Sequence, residues 1–225
     1  TIIIVAHSII LNVPLFSQSC LPEGIIFKYQ SEINSFPQNY PGCTEIEGDV
    51  EIRGIVSNLD SLIVLTSIGG DLSIHSLTRK LYDLSGLENL TSVGGDLDIS
   101  GNDYLNTLNH LESLSYIGGD LSIIGNPELS SCEAEGLCNY LLSPNGVVDV
   151  YSNANGCEGV VDIGKACNDT IPCLPYGNYY FYKQNDIDNF QQVFSGCTDL
   201  TGEVTIGRFV WDFDSLFTVE HIDNL

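Results

Sequence analysis

This chain of 225 residues has no methionine, one tryptophan and only 7 lysines and arginines. Against those it carries 30 aspartates and glutamates, for a net charge of −23. A nucleic-acid surface needs Lys and Arg to neutralise phosphates, so that class of function is excluded. The same shortage argues against an anionic membrane surface. Residues 1–16 are mostly apolar but too short and too interrupted to span a bilayer. GxSxG, HExxH and P-loop patterns are all missing. The four histidines, at 7, 75, 110 and 221, include no pair at zinc spacing, and there is no CxxC. His110 reads as a solvent-facing coil residue. A Ser-His-Asp triad is a matter of geometry, and no motif signals one. The chain reads as a non-enzyme without direct membrane insertion.

What is present is a repeat. Gly69-Gly70-Asp71-Leu72-Ser73-Ile74 returns as Gly94-Gly95-Asp96-Leu97-Asp98-Ile99 and as Gly118-Gly119-Asp120-Leu121-Ser122-Ile123. A shorter form, Gly48-Asp49-Val50-Glu51-Ile52, precedes them. The second glycines stand at 48, 70, 95 and 119, in steps of 22, 25 and 24 residues. A near-constant period of this size marks a solenoid, in which each repeat is one coil stacked on the last. Leu105, Leu108, Leu111 and Leu114 are spaced by three, which suits 3₁₀ turns. The Asp-Leu-Ser-Ile segments alternate with period two and read as strands, Leu and Ile inward, Asp and Ser outward. The glycine pair is expected to make a corner with positive φ. Asn102 and Asn126 follow two of the strands and are expected to turn the next corner. The expected class is mainly β, a parallel β-solenoid with short capping helices.

Eight cysteines, at 20, 43, 132, 138, 157, 167, 173 and 197, form an even set. The apolar start resembles the core of a secretory signal, cleaved before Cys20. Together they imply disulfides in a secreted or cell-surface protein.

The chain then repeats itself on a larger scale. Cys173-Leu174-Pro175-Tyr176-Gly177 echoes Cys20-Leu21-Pro22-Glu23-Gly24, and Gly202-Glu203-Val204-Thr205-Ile206 echoes Gly48-Asp49-Val50-Glu51-Ile52. The offset is 153 to 154 throughout. The expected organisation is a signal remnant at 1–19, a first domain at 20–167, a linker at 168–172 and a truncated second domain at 173–225. A short helix at 31–38, stopped near Pro37, and Cys20–Cys43 would cap the first domain. Cys173–Cys197 follows from the duplication. For Cys132, Cys138, Cys157 and Cys167, at a capping helix over 133–142 and the closing tail, four cysteines allow three pairings. Cys132–Cys157 with Cys138–Cys167 is the one favoured. The cluster Tyr176, Tyr179, Tyr180, Phe181 and Tyr182 reads as a cap edge.

Residues 20–225 resemble the receptor L domain family, the leucine-rich right-handed β-helix of insulin and epidermal growth factor receptor ectodomains. The nearest resemblance is to secreted bacterial surface proteins with "LTSIGGDLSI" coils, here residues 65–74, 90–99 and 114–123. The resemblance implies a right-handed solenoid and an extracellular binding or adhesion module for a protein or glycan partner. The alternative is a structural spacer, or an accessory domain of a secreted hydrolase whose catalytic part lies beyond residue 225. No receptor ligand contact carries over to these residues.

The outward carboxylates are the candidate site. Asp49, Asp71, Asp96 and Asp120 should line one edge of a sheet, with Glu51 and Asp98 one row across. Asp71, Asp96, Asp98 and Asp120 could hold Ca²⁺, which takes oxygen ligands, although a flat ladder offers few of the six to eight it wants. Otherwise no cofactor is expected. The face with Ser73 and Ser122 is expected to be flat and free of large apolar groups.

Overall fold

The computed structural model describes residues 18–224, apart from 78–79, 168–170, 176 and 217. Most of the expected signal segment and the start of the expected linker therefore lie outside the described residues, as does Tyr176. The chain begins with β1 (Gln18–Cys20), β2 (Ile25–Tyr29) and α1 (Gln30–Asn39). Short strands follow in pairs: β3 (Cys43–Ile46) and β4 (Val50–Ile55), β5 (Ser67–Ile68) and β6 (Leu72–Ser76). Then come β7 (Ser92–Val93) and β8 (Leu97–Ser100), β9 (Tyr116–Ile117) and β10 (Leu121–Ile124). After α2 (Glu135–Leu141) come β11 (Val148–Tyr151) and α3 (Val160–Ala166). The last elements are β12 (Tyr179–Lys183), α4 (Gln184–Val193), β13 (Asp199–Phe209) and β14 (His221–Asn224).

The architecture is mainly parallel β-sheet. One sheet has the order β1-β3-β5-β7-β9 and a second the order β2-β4-β6-β8-β10-β11. Each glycine-rich repeat gives one strand to each sheet. In-register pairing puts Val50, Leu72, Leu97, Leu121 and Val148 side by side, and likewise Ile52, Ile74, Ile99, Ile123 and Val150. All ten are buried, because period two sends alternate residues to one face. Leucines spaced by three close the core opposite: Leu59, Leu62 and Leu65 in one repeat, Leu108, Leu111 and Leu114 in another. Part of that spacing is 3₁₀ helix, at Asp60–Leu62 and Asn109–Leu111.

The glycine pairs do not work as the expected corner. None of Gly69, Gly70, Gly94, Gly95, Gly118 and Gly119 is among the positive-φ glycines. What they provide is room. A Cβ on Gly94 would lie 2.1 Å from the Gly69 carbonyl oxygen, and one on Gly95 would lie 2.0 Å from an Asp71 carboxylate oxygen. That carboxylate leans over the glycine to accept the Asp96 N–H at 2.8 Å. The same bond runs from Asp71 N–H to Asp49 (2.9 Å), Asp120 N–H to Asp96 (2.7 Å) and Val147 N–H to Asp120 (2.7 Å). The Asp of the motif therefore docks each strand onto the next.

The asparagines form a second ladder at the other end of the strands. Asn102 accepts the Ser76 N–H at 2.7 Å and donates to the Ile74 carbonyl at 2.9 Å. Asn126 does the same for Asn102 N–H and the Ile99 carbonyl, and Asn153 for Asn126 N–H and the Ile123 carbonyl. Asn102 and Asn126 are buried, so these bonds satisfy main-chain groups that water cannot reach. Expected only to turn corners, the asparagines tie neighbouring repeats together.

Both ends of this stack of strands are closed. At the start α1 lays Ile33 and Phe36 over the first strands, with Phe36 edge-on to Phe27. The helix continues past its expected stop, with Pro37 in its last turn. At the far end α2 buries Leu137 and Leu141, and α3, not foreseen as a helix, buries Val160 and Ile163. Disulfides join Cys20–Cys43, Cys132–Cys157, Cys138–Cys167 and Cys173–Cys197. A third sheet, β12-β13-β14, follows. Its long β13 pairs with β14 through Asp199 and Leu200, and with β12 through Val204 to Phe209.

The Asn ladder sets a measurable expectation. Asn102→Ala strands the Ser76 N–H and the Ile74 carbonyl, each at about 1–3 kcal/mol. Ser122→Ala, on the outward face, should stay within about 0.5 kcal/mol of the wild type. Denaturant unfolding of both variants gives the comparison, and equal stabilities would show that the ladder does not hold the strands.

Candidate functional site

The ladders occupy the strand ends. Between them, the six-stranded sheet presents an outward face with two rows. The first row, in register, is Ile26, Glu51, Ser73, Asp98, Ser122 and Asp149. The second contains Arg53 beside His75, and Ser100 beside Ile124 and Tyr151. His75 joins the halves of that row: its Nδ1 lies 2.8 Å from the Ser100 hydroxyl. Its Nε2 lies 3.4 Å from the Asp98 carboxylate in the first row. Arg53 pairs with Glu51 at 3.0 Å.

Of the candidate calcium ligands, Asp71, Asp96 and Asp120 stand at the strand starts with one oxygen each committed to the ladder. Asp98 stands apart, in the outward row against His75. Among the described residues, no three His, Cys, Asp or Glu side chains gather to hold a metal ion.

The two ends of the face differ. At the β11 end, Tyr151 packs against Tyr180 with ring centroids 4.7 Å apart, and Tyr180 stacks on Tyr182. Tyr179 and Phe181 alternate with them and point into the core, where burial raises the Tyr179 phenol to about 12. Burial also holds the Asp149 carboxyl above its usual range, against the hydrogen bonds it receives from Tyr180 and Asn178. The Tyr180 phenol rises in turn, through burial and then the Asp149 charge.

At the β2 end the expectation of a face without large apolar groups fails. Tyr29, Ile55 and Leu77 are exposed there, around an open groove of about 500 Å³ that Lys28, Arg53 and His75 also line. They meet at a bulge in β4. Phe27 faces Ile52 but Tyr29 faces Ile55, so β4 has one residue more than β2 over this span. Gly54 takes φ +83° there, and a Cβ on it would meet the Lys28 carbonyl oxygen at 2.6 Å. Alternation from Ile52 sends Ile55 outward, as it does Arg53, and the register shift sets Tyr29 beside it. A signal was present in the sequence: carried past Ile52, the alternation puts the apolar Ile55 on the outward side with Glu51 and Arg53.

No family model matches this sequence, and no curated protein matches it. The site therefore rests on its geometry.

Asp149 gives the face a pH signature. Its folded pKa is raised, so between the ordinary carboxylate range and that raised value the folded state binds the proton more firmly than the unfolded chain. Its contribution to stability is complete at low pH and is lost as pH rises through the raised value. Asp149→Asn keeps an acceptor for Tyr180 and removes the charge. At pH 7 it should raise the unfolding midpoint, with a gain that shrinks as pH falls through that window; a gain constant with pH would contradict this. For calcium, the expected result is an unchanged midpoint up to millimolar Ca²⁺. A filled site would add about 2.7 kcal/mol at a hundredfold excess over its Kd.

Proposed function

We propose that this chain is a non-enzymatic binding module of a secreted or cell-surface protein, which recognises a protein or glycan through the outward face of its six-stranded sheet. In this reading the parallel sheets are the walls of a right-handed solenoid of the receptor L domain type. Residues 20–167 form one domain and 173–225 belong to a second.

The observation that carries the reading is the division of labour along each strand. Asp and Asn at the strand ends hold the repeats together. The outward positions between them differ from strand to strand: Glu51, Ser73, Asp98, Ser122 and Asp149. Such positions can change without loosening the stack, which is what a recognition surface requires. Four disulfides fit an oxidising, extracellular compartment. Among the described residues no helix is long and apolar enough to cross a membrane.

The test is a screen of the whole chain against a glycan array and a panel of displayed extracellular proteins. Ser73→Arg and Ser122→Arg on the face serve as probes. At least one partner should bind and be weakened tenfold or more by these changes, with the unfolding midpoint kept. Partners indifferent to both substitutions would overturn the sheet face as the binding surface and favour a spacer.

A further inference from the structure

Two asparagines are followed, after one residue that is not proline, by a threonine: Asn89-Leu90-Thr91 and Asn168-Asp169-Thr170. This triplet is the acceptor pattern for N-linked glycans, and it counts only on an accessible surface of a secreted chain. Asn168 lies outside the described residues. Asn89 is exposed, in the turn at Glu88 and Asn89 that leads into β7. Leu90 beside it is buried, and Thr91 is exposed again. Asn89 therefore points to solvent from the wall that the leucines spaced by three build, opposite the six-stranded sheet.

The neighbouring repeats leave room there. The pairing of Ile68 with Val93 and of Val93 with Ile117 matches Asn89 to Val64 in the repeat before and to Ser113 in the repeat after. Both are exposed, so the three form an open ridge. The Asn89 amide is half committed. Its Nδ2 donates to the Ile63 carbonyl at 2.9 Å, its one hydrogen bond among the described residues. A carboxamide nitrogen has two hydrogens, and the second is the one that a sugar replaces. A glycosylated amide keeps one N–H, so the bond to Ile63 can persist and orient the sugar.

The surface along which it is oriented is apolar. Ile63 is 39% exposed and Val64 37%. The matching positions are Glu88-Asn89 in the next repeat and Glu112-Ser113 in the one after, so this ridge is polar elsewhere. Two adjacent aliphatic side chains meet water only beside the acceptor amide. Sugar rings carry C–H groups on their faces, and packing those on Ile63 and Val64 removes apolar surface from water.

We propose that Asn89 is an N-glycosylation site whose first sugars lie over Ile63 and Val64, on the wall opposite the candidate binding face. The proposal rests on the secreted or cell-surface reading above. The donor class is an oligosaccharide linked to a lipid diphosphate. The bond from Nδ2 to the sugar C1 forms as the C1–O bond to the diphosphate breaks; the diphosphate leaves, and one amide proton goes to the base of the transferase. Transfer acts on the extended chain during export, so the folded repeat has only to accommodate the product.

The test is peptide mapping of the whole chain, purified from the cells that naturally make it, before and after peptide N-glycosidase treatment in heavy-oxygen water. Asn89 should carry a glycan and be converted to labelled aspartate. Thr91→Ala should leave Asn89 bare, while Thr91→Ser should keep it modified. Removing the glycan should lower the unfolding midpoint of the wild type but not that of a double variant with Ile63→Ser and Val64→Ser. A bare Asn89 in a chain whose eight cysteines are all paired would overturn the proposal and leave the secreted reading standing; a bare Asn89 with free thiols would overturn both. A midpoint indifferent to the glycan, or equally sensitive in the double variant, would overturn its placement over Ile63 and Val64.

Discussion

Short parallel strands leave polar main-chain groups at both ends, and here those ends sit against a dry core. The structure depends on how these groups are satisfied. A carboxylate accepts the first N–H of the neighbouring strand, and a carboxamide serves an N–H and a carbonyl where the strand leaves the sheet. An unpaired buried amide costs more than a made hydrogen bond contributes, so these side chains act chiefly by preventing a penalty. Leu and Ile columns supply the cohesion, and the two ladders fix the register in which it is realised.

That requirement explains the composition. Asparagine serves the buried end because it donates and accepts at once, whereas aspartate serves the exposed end, where only an acceptor is needed and a charge can stay hydrated. The acidic excess at Asp49, Asp71, Asp96 and Asp120 thus has a structural origin. Glycine at 70, 95 and 119 is the steric counterpart of the aspartate that leans over it.

The repeat, the strands of the six-stranded sheet and the inward Leu and Ile were legible because period and alternation are properties of neighbouring residues; the two-residue strands of the other sheet, such as Ser67–Ile68 and Ser92–Val93, are too short to show an alternation. The role of Asp96 or Asn102 was not, because each acts on a residue one repeat away, and a single repeat shows only a polar residue beside a turn. The glycine pair was misread for the same reason: positive φ is the local explanation, and the true one lies in the adjacent strand. The candidate groove was half legible. Alternation placed Ile55 outward, but its meeting with Tyr29 and Lys28 of β2 and with Leu77 just after β6 needed the register.

The ladders also have a direction. Asp71 reaches forward to the strand that follows it, whereas Asn102 reaches back to the one before. The three junctions from β6 to β11 therefore look alike: one forward connector, one backward connector. The unit that can be inserted or deleted without stranding a bond is the whole repeat, cut anywhere along its length. A single-residue insertion within a strand has no such freedom, since it would shift one ladder against the other. The bulge at Gly54 is the exception that fits, because it falls in β4, ahead of the first asparagine rung at Ser76. The chain's grammar is thus written in repeats, and among the described residues its register shifts fall on either side of the strands that carry both connectors, at β1–β4 and at β12–β14.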